Sequence, residues 1–445
     1  MANSTLIKNV NIVNEGKIFK GDVRIKQEKI SLIAPSISLL NNENIIEGNN
    51  NYLIPGLIDD QVHFREPGFT HKGDIFSESR AAVAGGITSF IEMPNTNPQT
   101  TTMKNIHEKL EIASRNSVAN YGFMFGGTNS NLGEIKKIDE KKVAGLKLFL
   151  GSSTGNMLVN KKEVIKEIFK NSKLVISVHC EDESIIRKNL NHFFGIYGKN
   201  IPFNFHPKIR SAEACFKSSS EAINLALETG ARLHVFHLST GKETNLFSKK
   251  PLEEKQITSE VCTHHLWFSD KDYESKGYKI KWNPSIKSEV DRSALWKALN
   301  EDKIDVYATD HAPHTLQEKK LPYTESPSGG PLVQHGLLAM LDSVKEGKIT
   351  LEKFVEKSSH NPAKIFKIKK RGFLKKNFYA DMVLIDFNSE TKVTKNNILY
   401  KCGWSPFEGY TFNSSVIKTW VNGKLLYDKG KIVESIPAKR LEYFR

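Results

Sequence analysis

The stretch between residues 57 and 311 repeats one simple unit. In each unit a short run of apolar, β-branched and aromatic residues ends in a polar residue, and a longer stretch of helical character follows. The eight runs are Leu57–Phe64, Ile87–Pro94, Tyr121–Gly126, Gly145–Gly151, Leu174–Cys180, Leu233–Ser239, Thr258–His265 and Asp305–His311. Apolar strands that alternate with helices are typical of a parallel sheet covered by helices. Eight such units predict an α/β fold, the (β/α)8 TIM barrel.

Both ends of the chain depart from this pattern. Residues 1–54 and residues from 373 onward contain short strand-like runs separated by turns, and Asn422-Gly423 is typical of a type I′ hairpin turn. We expect the two ends to pair into one small β-sandwich domain, 1–54 plus 373–445. The barrel would then span residues 55–372.

Charge and cysteine content argue against several classes of function. The chain has 64 Lys and Arg residues against 50 Asp and Glu residues, a formal net charge of +14. The lysines are scattered without a basic block, which is typical of a solvated surface, so we expect no nucleic-acid partner. The four cysteines form no C-x-x-C pair, which disfavours a zinc ribbon or a disulfide framework.

The N-terminal region predicts the cellular location. Residues 1–20 lack the apolar segment of a signal peptide, and no run of eighteen apolar residues occurs in the chain. We therefore expect a cytoplasmic protein without a membrane partner. The general positive field would favour an anionic metabolite as ligand.

Polar side chains follow the predicted strands at their carboxyl ends. They are His63, Asn95, Lys147, His179, His237 and Asp310. This architecture carries its chemistry on the face where the carboxyl ends of the strands meet. The three histidines and Asp310 offer imidazole and carboxylate ligands to one point, as a hydrolytic metal centre requires. Zinc suits such ligands, and other divalent ions remain open.

Two further features of the strand ends have alternative interpretations. Lys147 lies within an apolar strand, where a charged amine is costly without a partner. It either reacts with CO₂ to give a carbamate that bridges two metals, or it reaches solvent or pairs with an acid. His264-His265 follows the seventh strand; because neighbouring residues of a strand face opposite sides, we interpret this pair as structural.

Several segments together resemble the cyclic amidohydrolases and, within them, the class I dihydroorotases. The segments are Pro55-Gly56-Leu57-Ile58-Asp59, His63-Phe64-Arg65-Glu66-Pro67-Gly68, Glu92-Met93-Pro94-Asn95-Thr96, Ala308-Thr309-Asp310-His311-Ala312-Pro313-His314, Asp381-Met382-Val383-Leu384-Ile385-Asp386 and Ser405-Pro406-Phe407-Glu408-Gly409. The motifs of the first and eighth strands are specific, whereas the C-terminal ones mark only the superfamily. The resemblance covers nearly the whole chain. It implies the reversible cyclisation of N-carbamoyl-L-aspartate to dihydroorotate.

The resemblance also implies a site with two zinc ions. One ion would be bound by His63, carboxylated Lys147 and Asp310, and the other by Lys147, His179 and His237. One position departs from the family pattern, which has His-x-His on the first strand, because Gln61 stands in place of the first histidine. An amide oxygen is a poorer zinc ligand than imidazole. We therefore expect Gln61 to be a weak or absent ligand and the chain to hold one or two zinc ions.

Substrate binding and catalysis are assigned by the same resemblance. The planar cation of Arg65 suits the substrate carboxylate, with Asn95 and His314 beside it. Asn283 and the backbone of Gly329 and Gly330 would meet the amide face of the pyrimidine ring. Asp310 would act as the general acid and base. The loop 326–330 is expected to cover the site.

Besides a nucleic-acid-binding role, which rests on charge alone, two alternatives remain open from the sequence. An allantoinase or a hydantoinase would share the fold and the metals, but Arg65 and His314 favour a dihydroorotase. A non-catalytic scaffold for a pathway partner, such as aspartate transcarbamoylase, would be consistent with Gln61 but is opposed by the intact histidines. A homodimer is the oligomeric form that the sequence leaves open.

Overall fold

The computed structural model describes residues 4–151, 157–435 and 438–445. In this part of the chain the N-terminal strands are β1 (Ser4–Asn14), β2 (Lys17–Lys26), β3 (Lys29–Ala34), β4 (Asn44–Glu47) and β5 (Tyr52–Pro55). The central strands are β6 (Leu57–Val62), β7 (Ile87–Glu92), β8 (Asn120–Phe123), β9 (Phe125–Gly126), β10 (Leu146–Phe149), β11 (Ile176–His179), β12 (Leu233–Val235), β13 (Ile257–Cys262) and β14 (Val306–Ala308). The C-terminal strands are β15 (Met382–Asp386), β16 (Thr391–Lys392), β17 (Thr411–Phe412), β18 (Ser415–Val421), β19 (Lys424–Asp428) and β20 (Lys431–Ile432).

The helices lie mainly between the central strands. They are α1 (Ile75–Ala84), α2 (Met103–Asn116), α3 (Leu132–Ile135), α4 (Lys162–Asn171), α5 (Glu183–Tyr197), α6 (His206–Ile209), α7 (Ala212–Thr229), α8 (Thr263–Trp267), α9 (Tyr273–Lys276), α10 (Glu289–Asn300), α11 (Leu316–Lys319), α12 (Gly336–Lys345), α13 (Leu351–Val355) and α14 (Asn361–Ile365). Among the described residues, none of these helices combines the length and apolar character needed to cross a membrane.

The central strands close into a parallel barrel. One sheet has the order β6-β7-β8 and a second the order β9 to β14, and only Met124 separates β8 from β9 along the chain. Val62 at the end of β6 forms a parallel bridge to His311, and its neighbour His63 donates its backbone N–H to the His311 carbonyl at 2.7 Å. With β8 and β9 counted as one interrupted strand, the described residues form the eight strands of the predicted (β/α)8 barrel.

Polar side chains fix where several covering helices begin. Asp74 accepts a hydrogen bond from the backbone N–H of Ser77 at the start of α1, and Ser211 does the same for Ala214 at the start of α7. Such caps satisfy N–H groups that have no partner within the helix. The strand ends and helix starts thus set the short loops that carry the site.

Both chain ends pair into one additional sheet, as the sequence predicted. Its nine strands have the order β20-β19-β18-β15-β5-β1-β2-β3, with β4 on β1. The two ends join where β5 runs parallel to β1 and antiparallel to β15, so that Leu53 faces both Ile12 and Leu384. At the predicted hairpin turn between β18 and β19, Asn422 and Gly423 both have positive φ, as a type I′ turn requires.

The C-terminal segment leaves this sheet and packs against the barrel. Leu441 donates its backbone N–H to the Tyr121 carbonyl, and Tyr121 donates to the Lys439 carbonyl. Leu441 and Tyr443 are buried in an apolar cluster with Ile91 and other barrel residues. Part of the segment that the sequence assigned to the small domain therefore contacts the barrel strands.

Candidate active site

The carboxyl ends of the barrel strands meet around one cavity. It is lined by Gln61, His63, Arg65, Asn95, Phe149, His179, His237, Trp282, Asn283, Asp310, Ala312, Ser328 and Gly329. Most of the residues that the sequence singled out are thus brought together. Lys147, His314 and Gly330 are buried but are not part of this lining. A larger cavity between the small sheet and the barrel holds none of the predicted site residues.

Two histidines face each other at this cavity. His179 Nδ1 lies 3.0 Å from His237 Nε2. The second ring nitrogen of His179 lies 2.9 Å from Glu181, which in turn pairs with Arg210. A carboxylate partner of this kind keeps the proton on Nε2 and leaves the lone pair on Nδ1. Burial lowers the pKa of both imidazoles, so both are neutral, as metal ligands must be.

His63 lies beside Asp310 at the same cavity. Its Nδ1 lies 2.7 Å from the amide oxygen of Asn95, and its Nε2 lies 3.3 Å from Asp310 Oδ1. Burial lowers the pKa of His63, so the ring is neutral. If Nδ1 donates to Asn95, the lone pair on Nε2 faces a carboxylate oxygen. A shared cation stabilises such a pair of electron-rich atoms.

Lys147 on β10 is a buried amine without a polar partner. Its side chain is inaccessible to solvent, and its Nζ has no hydrogen-bond partner among the described residues. The nearest aromatic ring, that of Phe236, has its centroid 4.2 Å from Nζ. Burial lowers the pKa of Lys147 to about 7. In the described part of the chain it therefore neither reaches solvent nor pairs with an acid.

Gln61 lines the cavity at the position where the family pattern has a histidine. It is buried, and its Oε1 lies 3.8 Å from the thiol sulfur of Cys262. Cys262 ends β13 and donates to Glu260 at 3.2 Å. This contact could not be predicted from the sequence, because a lone cysteine at a strand end is usually an inert core residue.

A second polar cluster, which the sequence analysis missed, lies inside the barrel. Asp60 on β6, His234 on β12 and Glu260 on β13 are buried, and one ligand atom from each lies within 4.8 Å of the others. Burial disfavours a charged His234, but the two carboxylates outweigh this effect and raise its pKa to about 9. The cluster therefore stabilises a positive charge at its centre. The sequence signal that could have located this cluster was the presence of charged residues within apolar strands.

A group of cations surrounds the predicted carboxylate site. Arg65 donates from Nε to the Pro313 carbonyl at 3.0 Å, and its Nη2 lies 2.9 Å from His314 Nε2. Lys72 Nζ lies 3.1 Å from the other ring nitrogen of His314. Burial, together with Arg65 and Lys72, holds the pKa of His314 well below its usual range. A neutral His314 adds no charge beside Arg65, and its Nε2 also lies 3.1 Å from the Ser328 carbonyl. The Asn95 side chain contacts His63.

The loop 326–330 is held by two buried lysines. Lys281 Nζ donates to the carbonyls of Tyr323 and Ser326, and Lys319 Nζ donates to the carbonyls of Lys281, Pro327 and Gly329. The N–H of Gly329 is already bonded to the Lys281 carbonyl. The Oδ1 of Asn283, beside this loop, has no partner among the described residues. The loop is thus anchored, and Asn283 offers a free acceptor at the cavity.

The adjacent histidines after β13 pack against other side chains. The predicted strand was too long, since β13 ends at Cys262 and both histidines lie in helix α8. The His264 ring stacks on Trp282 with centroids 4.6 Å apart, and His265 Nε2 lies 3.1 Å from the Pro284 carbonyl. These contacts support the structural interpretation of the pair.

Three residues of the site have left-handed backbone conformations. Arg65 has φ of 71°, His237 of 41° and Asp310 of 47°. A residue other than glycine in this region costs about 1–3 kcal/mol, and such strain is concentrated at functional sites. The fold therefore holds a metal-ligand candidate, an acid–base candidate and a substrate-binding candidate against a local energy cost.

The profile of the amidohydrolase family matches residues 52–426, which include every residue of this cavity. This chain belongs to the amidohydrolase family. It is 32% identical to the dihydroorotase of Methanosarcina acetivorans over 91% of this chain and 88% of that protein. It is 34% identical to the dihydroorotase of Carboxydothermus hydrogenoformans over 95% of this chain and 98% of that protein.

A solved structure shares the fold of this amidohydrolase. The L-hydantoinase (dihydropyrimidinase) from Arthrobacter aurescens superposes with a TM-score of 0.94 at 27% identity, covering 98% of this chain and 99% of that one. The barrel, the added sheet and the dihydroorotase resemblance predicted from the sequence are confirmed by these comparisons.

Proposed function

We propose that this chain catalyses the dihydroorotase reaction, the reversible cyclisation of N-carbamoyl-L-aspartate to dihydroorotate and water in pyrimidine biosynthesis. The observation that carries the proposal is one cavity that joins His63, His179, His237 and Asp310 to the guanidinium of Arg65. The first set suits the hydrolysis of a cyclic amide, and the guanidinium suits a carboxylate substrate. The relatives named dihydroorotase support the same activity.

The donor set suits zinc as the resident metal. Neutral imidazoles and a carboxylate converge in pairs, and the unpartnered Lys147 Nζ lies buried nearby. The proposed ligands are His63, Lys147 and Asp310 for one ion and Lys147, His179 and His237 for the other, with Gln61 a weak ligand or none. Zinc in such a site lowers the pKa of water and polarises a carbonyl group.

The environment of Lys147 supports its proposed carboxylation. An amine with a pKa of about 7 is substantially uncharged at neutral pH, and the uncharged nitrogen attacks the carbon of CO₂. The nitrogen loses one proton to solvent, and a carbamate anion forms. The product carries two oxygen ligands at a place where the free amine has no partner.

Asp310 is the proposed proton carrier. In the hydrolytic direction its carboxylate takes a proton from the water that attacks the ring carbonyl carbon. The C–N bond then breaks, and Asp310 delivers the proton to the leaving nitrogen. In the biosynthetic direction the ureido nitrogen attacks the side-chain carboxyl carbon, and water leaves. The fixed backbone of Asp310 and its position 3.3 Å from His63 hold it at the mouth of the barrel.

Arg65 binds the substrate carboxylate in this proposal. Its Nε donates to the Pro313 carbonyl, which fixes the plane of the guanidinium, and Lys72 lies nearby on the far side of His314. Asn283 would accept a hydrogen bond from a ring N–H through its free Oδ1. Gly329 and Gly330 would border the ring. The cytoplasmic location and a possible homodimer remain predictions from the sequence.

The Asp310→Asn variant tests the proposed acid–base role. Asparagine preserves the shape of the side chain but cannot take up the proton, so we expect kcat for dihydroorotate hydrolysis to fall by about 10²–10⁴-fold. The assay follows ring opening, with the metal content and circular dichroism of the same samples as controls. Unchanged turnover in a folded, metal-loaded variant would refute the role.

A hydantoinase-type activity is the second candidate, because the solved L-hydantoinase shares this fold so closely. Hydantoin, dihydrouracil and allantoin lack the carboxylate of dihydroorotate and would not use Arg65. Turnover of one of these compounds in preference to dihydroorotate would reassign the substrate. No turnover of any cyclic amide by metal-loaded protein would favour the scaffold alternative.

A further inference from the structure

Three ionisable side chains inside the barrel have no role in the reaction above. Asp60, His234 and Glu260 extend from β6, β12 and β13, and each is 0% exposed. Both carboxylate oxygens of Asp60, the Nε2 of His234 and the Oε2 of Glu260 lack a hydrogen-bond partner among the described residues. Isolated buried carboxylates are strongly destabilising without a partner, so the cluster needs a positive charge.

The hydrogen bonds around His234 indicate which of its nitrogens carries a lone pair. Thr258 Oγ1 lies 3.3 Å from the Leu233 carbonyl, to which it donates its single proton. The same Oγ1 lies 2.8 Å from His234 Nδ1 and therefore accepts the proton of Nδ1. In the neutral ring the lone pair is then on Nε2. Nε2 points at two carboxylates, so without a metal ion it carries a proton, and a bound metal ion would take the place of that proton.

The spacing of the three groups suits a shared metal ion better than direct hydrogen bonds. His234 Nε2 lies 3.4 Å from Asp60 Oδ2 and 3.8 Å from Glu260 Oε2. Charge-assisted hydrogen bonds are shorter, about 2.7–2.9 Å. Ligand atoms about 2.0–2.2 Å from zinc at tetrahedral angles lie about 3.3–3.6 Å apart. Two carboxylates and one dication also form a neutral unit, which a buried site favours.

We propose that Asp60, His234 and Glu260 bind a divalent metal ion, zinc or an ion of similar ligand preference, at a site separate from the catalytic ligands. The site lies beside the position where the family histidine is replaced. Asp60 immediately precedes Gln61, and Glu260 also accepts from the backbone N–H of the catalytic-site residue His237 at 3.2 Å. A metal bound here would link β6, β12 and β13 and stabilise the barrel beneath the cavity. This proposal does not depend on the identity of the substrate.

Anomalous diffraction from crystals of the zinc-loaded full-length protein tests the location directly. We expect a peak at the zinc absorption edge between Asp60, His234 and Glu260, in addition to the peak or peaks at the cavity. Peaks at the cavity alone would overturn the proposal, and the three side chains would then share a proton instead.

Metal counting in solution provides the second test. The isosteric variants Asp60→Asn and Glu260→Gln should each lose one equivalent of tightly bound zinc per folded chain, measured by inductively coupled plasma mass spectrometry after dialysis. Glu243→Gln is the matched control, because Glu243 is also a buried carboxylate but bonds to the hydroxyls of Ser219 and Thr240. Its zinc content should equal that of the wild type.

The two carboxylate variants keep the test decisive if one of them fails to fold. Circular dichroism and size-exclusion chromatography identify the folded fraction on which metal is counted, and the diffraction experiment uses the unaltered protein. Equal zinc content in the wild type and a folded Asp60→Asn or Glu260→Gln variant would refute the site.

Discussion

Individual side chains at the cavity act through neighbours that need not touch a substrate. Glu181 fixes the tautomer of His179, and Asn95 does so for His63. These contacts turn one lone pair of each imidazole toward its counterpart, which determines whether the ring can bind a metal. Glu181 also pairs with Arg210, so the orientation of His179, a proposed metal ligand, depends on a residue from another element of the chain.

The Arg65→Lys variant separates charge from geometry at the carboxylate site. Lysine keeps the positive charge but cannot bond simultaneously to the Pro313 carbonyl and a carboxylate through a planar fork. We expect the KM for dihydroorotate to rise about 10–100-fold, which corresponds to about 1.5–3 kcal/mol for a charged hydrogen bond, with a smaller change in kcat. Steady-state kinetics measures both.

The control for this change is Arg187→Lys on the exposed face of α5, which should leave both constants unaltered. An unchanged KM in Arg65→Lys would show that Arg65 does not bind the substrate.

The ion pair of Glu43, the residue before β4, leads us to expect a pH-dependent contribution to stability. Arg24 bonds both carboxylate oxygens, at 2.7 and 2.8 Å, and lowers the pKa of Glu43 from 4.5 to about 2. A depressed pKa in the folded state stabilises the protein above the unfolded pKa, and this contribution is lost as the pH falls. The free energy of unfolding of wild type should therefore exceed that of Glu43→Gln most near neutral pH, and the difference should shrink between pH 4.5 and 2.

Urea unfolding at a series of pH values measures this difference. Arg24→Gln removes the partner and should abolish most of its pH dependence. A difference that stays constant between pH 7 and pH 2 would contradict the prediction.

At the scale of secondary-structure elements, the sequence could predict residues that belong to a single strand or its end, but not contacts between elements. The apolar runs located the barrel strands, and the polar residue after each run located the cavity. The pairs His63–Asn95 and Glu181–Arg210 could not be predicted, because their members lie on different elements and meet only when the barrel closes. Gln61 was recognised as a departure, but its contact with Cys262 depends on the geometry of β6 and β13. The end of β13 was also misplaced, because helix α8 starts directly after it.

Helix α11 and the loop 326–330 form an element whose stability depends on Lys319. This ammonium group donates to three carbonyls, and replacing it with methionine leaves them buried without that donor. We expect Lys319→Met to lower the free energy of unfolding by about 1–3 kcal/mol. It should also raise KM, because Gly329 borders the cavity. Thermal unfolding and steady-state kinetics test the two effects.

Lys320→Met is the matched control, since Lys320 is the next residue and is exposed. Equal effects of the two substitutions would show that the anchoring bonds of Lys319 are unimportant.

At the scale of the whole molecule, residues 438–445 pack against the amino ends of the barrel strands, at the end of the barrel opposite the cavity. Leu441 is 0% exposed and packs against barrel residues, whereas Phe444 is 58% exposed. We expect Leu441→Ala to lower the free energy of unfolding by about 2–5 kcal/mol, as for other buried leucines. Phe444→Ala should change it by less than about 0.5 kcal/mol. Similar urea-unfolding midpoints for the two variants would contradict the packing described here.

The pairing of both chain ends in one sheet also affects the synthesis of the protein. Leu53 on β5 pairs with Leu384 on β15, a strand that the ribosome synthesises much later. At a translation rate of about 5–20 residues per second, that partner strand follows after roughly 15–65 s. During this interval the N-terminal strands expose an edge on which other nascent chains can pair. Rapid closure of the small sheet after translation of β15 is therefore a condition for avoiding aggregation in the cell.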